Sequence, residues 1–103
     1  MGTLEFDVGE KKYVSAIIRT NNEKDIIIIN DAKWELYDSP TNQIDNGTCL
    51  VSGDEVFALI EANEKGNYIL KFIVTIGPER IIEKIALKVS WGELNGCLYN
   101  LWD

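Results

Sequence analysis

Histidine is absent from this 103-residue chain, which removes the commonest general base near neutral pH and the commonest metal ligand. Nucleophilic catalysis would have to pair a serine or cysteine with a lysine or carboxylate, and no spacing in the chain sets up such a pair. Cysteine is scarce, with Cys49 and Cys97 alone. They have no Cys-x-x-Cys spacing and no histidine to complete a zinc set. Cys49 stands in an apolar run where a thiol behaves as a small hydrophobe, so two free thiols are expected, although the count alone leaves a disulfide open. No apolar run approaches the roughly 20 residues of a membrane helix. Met1 to Gly9 has neither the basic nor the apolar region of a secretory leader, so the chain reads as cytoplasmic as synthesised, with no membrane partner. Positive charge is the minority: 10 Lys and Arg against 17 Asp and Glu leave a formal net charge of −7. That balance repels phosphate backbones and speaks against nucleic acid. Glycine-rich phosphate loops are missing, and no cofactor is expected.

What is present is β-branched and alternating. Isoleucine and valine dominate the apolar residues, and they fit a pleated, half-buried surface better than a helix. The chain is long enough for one domain with a core of its own. Leu4, Phe6 and Val8 alternate with Glu5 and Asp7. Tyr13 to Thr20 places Val14, Ala16 and Ile18 inward, with Tyr13 and Ile17 leaving the other face partly apolar. Ile26 to Ile29 reads as a short strand covered on both faces, and Ala32 to Asp38 as a strand with Ala32, Trp34 and Leu36 inward. Asp45-Asn46-Gly47 reads as turn chemistry, more economical than the glycosylation sequon that Asn46-Gly47-Thr48 also matches. Thr48 to Ser52 and Glu55 to Ala62 follow as strands, the second apolar on both faces, with Phe57 and Leu59 on one and Val56, Ala58 and Ile60 on the other. In Arg80 to Val89 the intrusion of Glu83 among Ile81, Ile85, Leu87 and Val89 predicts a bulge or an exposed end.

The longest strand organises the rest. From Tyr68 to Ile76 one alternate set is Tyr68, Leu70, Phe72, Val74 and Ile76, bounded by Gly66 before it and Gly77-Pro78 after it. Glu64-Lys65-Gly66-Asn67-Tyr68 resembles the tyrosine corner at the start of strand F in immunoglobulin-like sandwiches, and Trp34 is similar to the core tryptophan of strand C. Leu70 stands where antibody domains have a cysteine, so their inter-sheet disulfide is absent. Strand spacing and this resemblance together predict an all-β, immunoglobulin-like Greek-key sandwich of seven to eight strands over residues 1–90, with Trp34, Gly66, Tyr68, Leu70 and Phe72 as its structural residues. An aromatic tail over residues 91–103 packs on the sandwich or on a partner. Trp91, Leu94, Leu98 and Leu101 have helix-like spacing, whereas Leu98 to Trp102 fits an added strand equally well.

The parts from Trp34-Glu35-Leu36-Tyr37-Asp38, through Gly47-Thr48 and Gly53-Asp54, to Gly66-Asn67-Tyr68-Ile69-Leu70-Lys71-Phe72 and Val89 also resemble the small immunoglobulin-like domains encoded in bacteriophage structural gene clusters. The pattern is similar to the N-terminal domain of phage baseplate upper proteins, and departs from it after Ser90. The resemblance implies a virion or assembly role without catalysis. Two functions compete. One is a structural or assembly module that docks protein, either a second copy or another virion component, through an edge strand or through Trp91, Leu98, Tyr99, Leu101 and Trp102. The other is a carbohydrate-binding module in which Trp91, Trp102 and Tyr37 stack on sugar rings. Asp38, Asp45 and Asp54 lack the dense spacing of a calcium loop and read as solvated turns, so no metal is expected.

Overall fold

The computed structural model describes residues 3–19 and 27–91. Within them the chain forms eight strands: β1 (Thr3–Asp7), β2 (Lys11–Ile17), β3 (Asp31–Ser39), β4 (Asn42–Thr48), β5 (Leu50–Ser52), β6 (Glu55–Glu61), β7 (Gly66–Ile76) and β8 (Glu79–Ser90). They make a larger sheet in the order β1-β8-β7-β3-β4 and a smaller one in the order β2-β6-β5. Only β1 and β8 run parallel; the other pairings are antiparallel. The architecture is all-β, as composition predicts. The aromatic tail beyond Trp91 lies outside the described residues. Among those residues no helix is long and apolar enough to cross a membrane.

The period-two pattern becomes burial. Leu70, Phe72 and Val74 of β7 are fully buried, facing Val56, Ala58 and Ile60 of β6 across the core. Trp34 and Leu36 of β3 and Phe6 of β1 complete the larger sheet's inner face, and Val14 of β2 adds to the smaller sheet's. No polar or charged residue is buried among those described, so the core is held by apolar contact alone. β7 and β8 pair without a register shift from Gly66↔Val89 to Ile76↔Glu79. Gly77 turns this hairpin at φ 58°, a positive angle that the first position of a II′ turn requires.

Two crossings tie the sheets together. Val8 donates its N–H to the Ser90 carbonyl at 2.8 Å, and Gly9 donates to Ala62 at 2.6 Å, so the chain leaves one sheet and joins the other within two residues. Gly9 holds φ at 95° to make that corner, a conformation costly for other residues. At the second crossing Cys49 is buried and donates its N–H to the Ala32 carbonyl at 2.9 Å. Burial, and then the Asp31 charge, push its thiol up to about 11. Cys97 lies outside the described residues.

Several local expectations change. The run expected as one strand from Thr48 to Ser52 is split at Cys49, because the chain changes sheets there. Asn46 and Gly47 lie inside β4, not in a turn. Ile27 to Ile29 form no strand and Ile28 is exposed. Residues 27–30 join no ladder among the described residues, and Asn30 anchors the entry to β3 by donating its N–H to the Thr75 carbonyl and accepting from the Gly77 N–H. Glu83 causes no bulge. It is exposed because β1 pairs β8 only from Ala86 to Ser90, leaving the first half of β8 at the sheet margin.

Candidate functional site

Three surfaces carry chemistry beyond the core, and the first surrounds Tyr68. Its hydroxyl donates to the Glu64 carbonyl at 2.8 Å, the bond expected of a tyrosine corner. Gly66 lies beneath the ring, where an added Cβ would stand 3.4 Å from Cε1 and from the hydroxyl oxygen. Burial, then the nearby charges of Glu64 and Asp38, raise the hydroxyl's pKa. The bond is at the surface, so its net worth falls in the lower range for a neutral hydrogen bond. Tyr68→Phe is expected to cost about 0.5 to 1 kcal/mol, read as a small drop in urea midpoint; an unchanged midpoint would show the bond to be idle. Beside the ring, a cleft of about 280 Å³ opens between the sheets, floored by Leu36, Ile60 and Leu87 and edged by Asp45 and Glu64.

The second surface is the outer face of β2, β6 and β5. Pairing sets Tyr13 opposite Leu59 and Leu50 opposite Phe57, and puts Ile17 at the end of the same face. Tyr13 meets Phe57 edge to face at 6.4 Å, so the residues form one patch. Tyr13, Ile17, Leu50 and Leu59 are 55%, 49%, 58% and 39% exposed, so the second apolar face of β6 lies towards solvent. A two-sheet sandwich covers each sheet on one side only. Soluble monomers keep contiguous apolar patches to a few hundred Å² at most, and larger ones mark contact sites. The signal was present in Phe57 and Leu59, which a two-layer sandwich leaves on its outer side.

The third surface, the outer face of the larger sheet, carries Lys33, Lys71, Lys84 and Lys88. Tyr37 lies on it, half-buried, its hydroxyl donating to Glu35 Oε1 at 2.5 Å, and that bond raises its pKa first, with burial and the Glu35 charge adding to it.

The residues proposed for sugar stacking are not brought together. Tyr37 is level with Ile69 and so with Ala86 of β8, and Trp91 follows five residues later, roughly 16 Å along the strand. Trp91 is exposed; Leu98, Tyr99, Leu101 and Trp102 lie outside the described residues. Asp38 accepts from the Asn42 side chain and Asp45 from the Asn46 N–H, while Asp54 lies at the β5–β6 turn. Among the described residues no group of three or more acidic or cysteine side chains could hold a metal ion.

No family model matches the chain, and no curated protein is similar to it.

Proposed function

We propose that the chain is a non-catalytic assembly module with an immunoglobulin-like Greek-key arrangement, and that it joins a second copy of itself through the apolar outer face of β2, β6 and β5. The arrangement is supported by strand order. In immunoglobulin order β2, β6 and β5 take the places of strands B, E and D, and β3, β7 and β8 those of C, F and G, with Trp34 on C and the tyrosine corner at the entry to F. The likeness of Trp34 to Val89 to phage-encoded domains gives the assembly role its setting, a virion or a complex that builds one.

The observation that carries the docking is the uncovered patch of Tyr13, Ile17, Leu50 and Leu59. A second copy suits it because charge is uneven along the face: Lys11 stands opposite Glu61 at one end, whereas Glu55 lies opposite the apolar Ile17 at the other. A two-fold axis that crosses the strands head to tail brings each Lys11 towards the partner's Glu55 end while the apolar centre meets itself. The contact rests on a few partly exposed apolar side chains, so association is expected to be weak and concentration-dependent. Residues 91–103 are a proposed second contact through Trp91, Leu98, Tyr99, Leu101 and Trp102.

Sedimentation of the full chain over a wide concentration range tests the reading. Leu59→Glu is expected to abolish reversible dimer formation while leaving the urea midpoint nearly unchanged, since Leu59 is already partly in water. A parent chain that stays monomeric at millimolar concentration, or a Leu59→Glu variant that still dimerises, would sink it.

A further inference from the structure

On the opposite side of the molecule from the apolar patch, the chain gathers the charge it has least of. Lys33 of β3, Lys71 of β7 and Arg80, Lys84 and Lys88 of β8 all project from the outer face of the larger sheet, by their register with Ile73, Lys84, Thr75, Lys71 and Asn67. Half of the chain's 10 basic residues therefore share this face, where Lys88 stands opposite Glu5 and Lys33 lies 3.9 Å from Asp31, leaving Lys71 and Lys84 between them. Lys71 and Lys84 are direct cross-strand partners. Like charges in that position destabilise a sheet, so the pair needs a reason other than folding.

One carboxylate stands near it. Glu35 reaches the Lys71 Nζ at 3.9 Å and is already engaged by the Tyr37 hydroxyl. Lys84 has no ion-pair partner within 4.0 Å among the described residues. The Lys71 ammonium lies 5.7 Å from the centre of the Tyr37 ring. Beside the pair is a hollow of about 290 Å³ lined by Tyr37, Pro40, Ile69, Lys71 and Lys84, which sets two cations at the wall of an apolar floor.

We propose that this hollow binds an acidic peptide segment of another protein, with carboxylates bridging Lys71 and Lys84 and an aromatic or aliphatic side chain over Tyr37, Pro40 and Ile69. The complementarity is local. A short peptide answers to charges within a Debye length of about 8 Å, where the lysines dominate. A long polyanion also meets Asp31 and Glu35 on the same face and the negative remainder of the chain, which disfavours nucleic acid. Free phosphate would leave the apolar floor unused. These residues are separate from the self-association patch, so the two sites stand or fall independently.

The test is a titration of the isotope-labelled full chain with a short peptide of glutamates around a central tyrosine, followed by amide shifts. Shifts are expected at Tyr37, Ile69, Lys71 and Lys84, and binding should weaken about tenfold or more in Lys71→Gln/Lys84→Gln. That variant should fold at least as stably as the parent, because it loses a like-charge pair. Arg19→Gln/Lys65→Gln, with the same change in net charge, should bind as the parent does. Absence of shifts, shifts that survive in Lys71→Gln/Lys84→Gln, or equal shifts with inorganic phosphate or duplex DNA would overturn the proposal.

Discussion

Trp34→Ala is expected to cost the fold about 3 to 5 kcal/mol, the range for deleting a large aromatic from a packed core. Trp34 lies on β3 between β4 and β7, opposite Gly47 on one side and Phe72 on the other, and it is 7% exposed. The void left by an indole at the centre of the larger sheet cannot close, because strands on both sides fix the neighbouring backbones. A domain of this size has roughly 5 to 15 kcal/mol of stability, so the variant should be partly unfolded near 37 °C or lose a large part of its urea midpoint. Trp34→Phe keeps most of the apolar mass and should recover most of the loss. A cost below about 1 kcal/mol for the alanine variant would place the indole outside the core.

Gly47→Ala should cost about 1 to 3 kcal/mol, the range for overpacking. A Cβ on Gly47 would stand 2.7 Å from the Trp34 Nε1 and 2.8 Å from Cε2 and Cζ2, distances that real side chains do not hold. Gly47 is not among the glycines with positive φ, so the cost is steric and comes from one ring. It follows that the two positions are coupled. With Trp34→Ala already in place, Gly47→Ala should cost nothing, or stabilise slightly by restricting the unfolded chain. A double-mutant cycle measures this directly, and an interaction energy near zero would refute the contact.

Gly47 also shows where sequence reading stops. Asn46-Gly47 has the chemistry of a hairpin turn, but its glycine is required by an indole from a neighbouring strand, a contact that no local pattern contains. β7 was legible because every signal agreed: alternation from Tyr68 to Ile76, Gly66 before it and Gly77-Pro78 after it. The Lys71–Lys84 pair was legible in principle, since a two-residue turn at Gly77-Pro78 fixes the hairpin register by itself. The run Ile26 to Ile29 misled because β-branched composition describes a side chain's preference, whereas a strand also needs a neighbour with free backbone groups. The two apolar faces of Glu55 to Ala62 were legible, but alternation assigns residues to sides and cannot say which side faces water. The Glu64 to Tyr68 motif suggested the corner, whereas the carbonyl that the hydroxyl meets, that of Glu64, depends on how the turn before β7 folds.

The parallel pairing of β1 with β8 bears on the order of assembly. Thr3 aligns with Ala86, so β1 pairs with the strand most distant from it in sequence among the eight described. Closing so long a loop is entropically unfavourable until the intervening strands have collapsed. β1 is therefore expected to dock last, after the β3–β4 and β7–β8 hairpins. Until then the Ala86 to Ser90 edge of β8 stands open to any extended segment, including β1 of a neighbouring chain. The Val8-Gly9 crossing makes such an exchange productive, because a swapped β1 would still deliver β2 to β6. Slow, concentration-dependent refolding would be the kinetic trace of that single parallel pair.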